Sequence, residues 1–102
     1  MMLCVLQEAR LETKQVAEWY EDQRPSLGED FLQELESAYF QIEEHPHRPL
    51  RITVSGLEDR ELHQKMLRRF PYKVIYEVKD GEVIVLAVAH TRRRPNYWSD
   101  RV

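Results

Sequence analysis

The residues best suited to chemistry crowd one short stretch. His90, Arg92, Arg93, Arg94, Tyr97 and Trp98 all fall within residues 90–98. RNA cleavage by 2′-hydroxyl attack needs a group that exchanges a proton, cations that stabilise the phosphate, and rings that orient bases. An imidazole ordinarily titrates near neutrality, so His90 suits the first task. Arg92 and Arg94, with Lys73 earlier in the chain, suit the second, because arginine contacts phosphate with two parallel N–H groups. Tyr97 and Trp98 can stack on bases. Each has a plainer reading. His90 ends an apolar strand and can be a hydrogen-bonded structural histidine. The arginine run can serve only to bind an acidic partner, and Trp98 can close a core.

A hairpin must position these groups. Asp80-Gly81 separates two runs rich in Val, Ile and Tyr, and Asp-Gly favours the type I′ turn, which needs positive φ at both central residues. Residues 72–79 and 82–90 are therefore expected as paired antiparallel strands. An unbroken register opposes Tyr76 to Val85, Val74 to Ala87 and Lys73 to Val88. Alternation then places Tyr72, Val74, Tyr76, Val78, Val83, Val85, Ala87 and Ala89 on one face. Lys73, Ile75, Glu77, Ile84, Leu86, Val88 and His90 take the other. Lys73 and His90 would be diagonal neighbours about 7–8 Å apart. Arg68 and Arg69 lead into the same end, pointing to opposite faces if extended.

Upstream, residues 2–9 read as a short strand. Residues 12–24 read as a helix, with Val16, Ala17 and Tyr20 at helical spacing, ending before Pro25. Residues 26–45 form the stronger helix. Leu27, Phe31, Leu35, Ala38 and Ile42 make one apolar stripe, and Ser26 with Glu29 fits a capping box. Residues 62–69 read as a third strand, with a short helix as the alternative.

The chain of 102 residues, 42% hydrophobic and 32% charged, reads as one globular domain over 1–102. Its charge is divided. Residues 1–59 hold 5 Lys/Arg against 13 Asp/Glu, and residues 60–102 hold 10 against 5. The basic half suits an anionic target or, on the plainer reading, complements the acidic helices. The single cysteine, Cys4, excludes an internal disulfide and reads as a small core residue. His45 and His47 sit in a Pro-rich turn without other ligands nearby in sequence, so no metal and no cofactor are expected. No membrane span and no signal peptide are read, which makes the expected location cytoplasmic.

Residues 67–98 resemble the RelE/ParE superfamily of toxins from bacterial type II toxin–antitoxin modules. The likeness is carried by Arg68-Arg69-Phe70-Pro71-Tyr72, by Val74-Ile75-Tyr76, and by the run from Val85 through His90-Thr91-Arg92-Arg93-Arg94-Pro95. It implies an α+β fold, with an N-terminal strand and a helical hairpin packed on a twisted antiparallel sheet. It implies a cognate antitoxin as partner, and either ribosome-bound mRNA or DNA gyrase as target. A homo-oligomer and a toxin–antitoxin hetero-oligomer both stay open. RelE-like members cleave mRNA; ParE-like members poison gyrase without catalysis of their own. The RelE-like pattern matches Lys73, Arg92, Arg94 and Tyr97; with His90, chosen for its own chemistry, these are the expected catalytic residues, and Lys65, Arg68, Arg69, Arg93 and Trp98 are the expected RNA contacts. The lysine pair of RelE-like enzymes falls on Gln64 and Met66, and the usual arginine is replaced by Lys73. A histidine before basic residues, as in His90-Thr91-Arg92-Arg93, also resembles the ParE-like branch.

Overall fold

The computed structural model describes residues 1–102. Its elements are β1 (Met2–Val5), α1 (Gln7–Gln23), α2 (Leu27–Glu44), β2 (Leu50–Ile52), β3 (Glu61–Met66), β4 (Tyr72–Lys79), β5 (Glu82–His90) and a final 3-10 turn, Ser99–Arg101. The strands lie in the order β1-β5-β4-β3-β2. The pairs among β2 to β5 are antiparallel, and β1 joins β5 in parallel, so the sheet is mixed.

The hairpin turns where the sequence predicts. Asp80 and Gly81 have φ of 53° and 76°, as a type I′ turn requires. The stripe of α2 is buried at Phe31, Leu35, Ala38 and Ile42, against Val74, Tyr76, Val83, Val85 and Val88 of the sheet. Tyr20, Phe31, Phe70 and Tyr72 meet mostly edge to face at the rim of this layer. The opposite face of the sheet is covered by loops and the C-terminal segment. There Val54, Leu62, Ile75, Leu86, Ala87 and Trp98 form a second core.

Cys4, expected as a small core residue, is exposed, and four further expectations change. First, α1 begins at Gln7 rather than near residue 12, because residues 7–11 are strong helix formers and the strand before them ends at Val5. Its end holds as read: Arg24, before Pro25, is extended at φ −160° and ψ 134°. Second, Ser26 does not cap α2 through its hydroxyl. It lies in the left-handed region at φ 73° with no side-chain cap bond. The carboxylate of Glu21 accepts from the N–H groups of Ser26 and Gly28 instead, at 2.9 and 3.1 Å. Third, β2 was not read at all, and the strand read over residues 62–69 is confined to Glu61–Met66.

The fourth change matters most for the site. The hairpin register holds from Lys79–Glu82 to Tyr76–Val85, then shifts by one residue, giving Ile75–Ala87, Val74–Val88, Lys73–Ala89 and Tyr72–His90. A β-bulge at Leu86 places Leu86 and Ala87 in the same core. Beyond it, Val88 and His90 change faces. The register opposing Val74 to Ala87 and Lys73 to Val88 is thereby corrected.

Candidate functional site

The bulge needs partners for the backbone it frees. The parallel strand β1 covers the outer edge of β5 only as far as Val85, where the Leu6 N–H donates to the Val85 carbonyl at 3.0 Å. Beyond that point side chains take over. The Val88 N–H donates to Glu12 Oε1 at 3.1 Å, and Arg101 Nη1 donates to the Leu86 carbonyl at 2.9 Å. Glu12 and Arg101 also pair with each other, with both contacts at 3.1 Å. The Tyr97 hydroxyl completes the cluster, donating to Glu12 Oε2 at 2.5 Å. Burial pushes the Tyr97 phenol well above its ordinary value, and the Glu12 carboxylate pushes it further.

This cluster fixes the segment after β5. Asn96, at φ 60°, turns the chain so that Tyr97 reaches Glu12 and Trp98 enters the second core. Between this segment, the end of the β4–β5 hairpin and residues 52–54 lies a cleft of about 230 Å³. Lys73, Arg93 and Arg94 line it from different elements, with Gln64, Ile75 and Ala89 among the other walls. The cleft is cationic. Lys73 and Arg94 make no ion pair within the chain, whereas Arg93 lies 4.0 Å over the Tyr97 ring.

The remaining expected residues lie elsewhere or are engaged. His90 is opposite Tyr72, not diagonal to Lys73 on one face. Its ring packs edge-on to Tyr72 with centroids 5.1 Å apart. His90 Nδ1 accepts the Arg92 N–H at 3.0 Å, which closes the turn leaving β5. His90 is among the residues that line the cleft, and its ring packs against Tyr72. The Arg92 side chain is exposed and outside the cleft. Trp98 is 2% exposed, so its indole is core and offers no stacking face.

Lys65 pairs with Val74 in the sheet and lines a recess against α2 with Glu34 and Gln41, on the opposite face from Lys73. Arg68 and Arg69 are tied to the same helix. Glu34 Oε2 accepts from their backbone N–H groups at 2.6 and 3.0 Å, and the Arg69 guanidinium lies 3.6 Å from Asp30. These three basic residues do not join the cleft. Part of the opposite charge of the two halves of the chain is thus spent within the fold. Gln64 lines the cleft where a RelE-like lysine was looked for. Glu77, expected beside Lys73 and His90, is buried and doubly hydrogen-bonded to Arg60.

Two residues that shape the site, Glu12 and Arg101, went unnoticed in the sequence. They stand 89 positions apart, and nothing local marks either. A third group was also missed. His47 meets Glu61 and His63, although no ligand lies close to His47 in sequence.

Comparison with known proteins closes the description. A family model described as "ParE toxin of type II toxin-antitoxin system, parDE" matches residues 5–95. Among solved structures, a chain described as "Chromosomal ParDE TA system from P. aeruginosa" superposes with a TM-score of 0.75. The match covers 88% of this chain and 95% of that one, at 17% sequence identity, and establishes likeness of fold. No curated protein matches the sequence.

Proposed function

The chain belongs to the ParE toxin family of type II toxin–antitoxin systems, and from that premise we propose that it arrests growth by binding DNA gyrase, without catalysis of its own. One observation carries the choice over RNA cleavage: the two groups that would move protons are engaged in holding the fold. His90 Nδ1 accepts a backbone N–H while its ring packs on Tyr72, and the Tyr97 hydroxyl is bound to Glu12. The cleft keeps cations but no free acid–base pair. A cationic rim of this kind, with Arg92 and Arg94 exposed, suits recognition of an acidic surface.

A cognate antitoxin completes the reading. A hollow of about 470 Å³ runs beside the two helices, lined by Val5, Ala17, Leu32, Leu35 and Tyr39 with Arg10 and Lys14 at its margin. It suits the apolar anchors of an acidic antitoxin segment laid along the hairpin. No helix is long and apolar enough to cross a membrane.

A second reading, cleavage of mRNA on the ribosome, is favoured by one feature. Lys73, Arg93 and Arg94 share a cleft and together can hold a phosphate. The test compares the readings directly. Purified toxin is added to a gyrase supercoiling assay, and RNA 5′ ends are mapped after induction without antitoxin. Inhibited supercoiling by the wild type and by His90→Gln alike, with mRNA intact, is the expected result. Normal supercoiling with new translation-dependent ends inside codons overturns it and makes the cleft an active site.

A further inference from the structure

At the opposite end of β3 from Met66, Glu61 and His63 of that strand meet His47 from the loop after α2. Glu61 Oε2 lies 2.5 Å from His47 Nδ1 and 2.8 Å from His63 Nε2. All three potential ligand atoms lie within 4.8 Å of one another. From this arrangement we infer that His47, Glu61 and His63 form a binding site for a divalent transition metal ion of the zinc class.

The hydrogen-bond inventory supports the inference. His63 is 2% exposed, and its Nδ1 lies 2.8 Å from the Pro49 carbonyl. A carbonyl only accepts, so Nδ1 carries the proton. The other nitrogen of the same ring, Nε2, faces Glu61 Oε2. His47 Nδ1 meets the same oxygen. Two imidazole nitrogens and a carboxylate oxygen thus face one point, a donor set that a metal ion between them would bridge.

The surroundings match those of a metal-ligating histidine. Such a residue usually donates its second N–H to a backbone carbonyl or carboxylate, which fixes the tautomer and aims the ligand nitrogen; Pro49 fills that place. The His63 ring stacks on Tyr76, with centroids 5.3 Å apart and planes 15° from parallel. The Tyr76 hydroxyl in turn donates to the Pro46 carbonyl at 2.7 Å. Loop residues 46–49 are therefore held from both sides, with His47 projecting toward Glu61.

Two imidazoles and one carboxylate suit zinc, and three protein ligands leave a fourth position for water. Zinc–ligand bonds of about 2.0–2.1 Å place ligand atoms about 3.3 Å apart in a tetrahedron. Reaching that spacing from the present one needs mainly a movement of His47, whose side chain is 61% exposed. The bound ion would fasten the loop after α2 to β3, next to the edge strand β2.

The test uses tag-free, full-length protein carrying Cys4→Ser, because the exposed Cys4 thiol is an independent metal ligand. Zn(II) binding is followed by calorimetry, and Co(II) binding by visible absorption. One-to-one binding, a tetrahedral Co(II) spectrum and a higher Tm with Zn(II) are expected. His47→Ala should weaken binding by about tenfold or more. Because His47 is exposed, that variant should keep the metal-free Tm, so lost binding cannot be blamed on misfolding. Absence of binding by the Cys4→Ser protein, or equal binding by His47→Ala, overturns the site.

Discussion

Glu12 sits at the outer edge of β5 and Glu61 on β3, and each gathers several polar partners. The difference lies in what those partners carry. Glu12 receives a backbone amide, a phenol and both ends of a guanidinium, and each of these carries its proton at ordinary pH. Glu61 receives two imidazoles, which donate or present a lone pair according to their state. The first carboxylate is a fixed fastening of the fold. The second is conditional on a cation. Both belong to the same fold, yet only the second has capacity left for a ligand.

The sharpest way to break the comparison is to remove Glu12. Its pair with Arg101 is well shielded, at 14% and 15% side-chain exposure, and Glu12→Ala would strand Val88 N–H, Tyr97 Oη and Arg101 together. Leaving buried donors unsatisfied and a shielded charge unpaired should cost about 2–4 kcal/mol. Urea denaturation would read this as a lower midpoint with the slope little changed. A loss below about 0.5 kcal/mol would mean that the bulge holds itself and that the cluster is incidental.

Tyr97→Phe is a finer probe of the same cluster. It removes one hydrogen bond and should cost about 1–1.5 kcal/mol at neutral pH. The pH dependence carries more information. Burial, and then Glu12, raise the Tyr97 pKa in the folded state. Its contribution is therefore fully present below the unfolded value of about 10 and is lost as pH rises above that value toward the folded pKa. Stability curves for wild type and variant should thus converge from about pH 9 upward. Tyr76 is also raised, chiefly by burial, but it is common to both proteins and cancels in the difference. Parallel curves would show that the phenol is not shielded as described.

What the sequence disclosed and what it hid follow from the range of each signal. The Asp80-Gly81 turn and the α2 stripe are local patterns, and both were legible. The bulge was not. It falls at Leu86-Ala87 in a strand that is apolar on both faces, so alternation vanishes where the register shifts. That single residue places His90 opposite Tyr72 rather than on the face of Lys73 that an unbroken ladder gives it. Lys73, Arg93 and Arg94 still share a cleft, because they flank the hairpin end whichever way the ladder runs. The edge strand β2 escaped because it is only three residues long, Leu50–Ile52, too short for its alternation to stand out. Ser26 and Glu29 had capping spacing, but Glu21 was already close enough to take the free N–H groups.

The smallest effect should come from Glu61→Gln in metal-free buffer. The glutamine amide can still hydrogen-bond His63 Nε2, and His63 Nδ1 keeps its bond to the Pro49 carbonyl. The removed carboxylate is also partly solvated, at 26% side-chain exposure, and partly solvated pairs contribute little. A change within about 0.5–1 kcal/mol is expected, well below that of Glu12→Ala. Zinc should then separate the proteins: the parent gains Tm while Glu61→Gln does not, because an amide is a poorer ligand than a carboxylate. If Glu61→Gln proved as damaging as Glu12→Ala without metal, the His47–Glu61–His63 corner would be a structural fastening like the first. A zinc response in wild-type protein would then need another source.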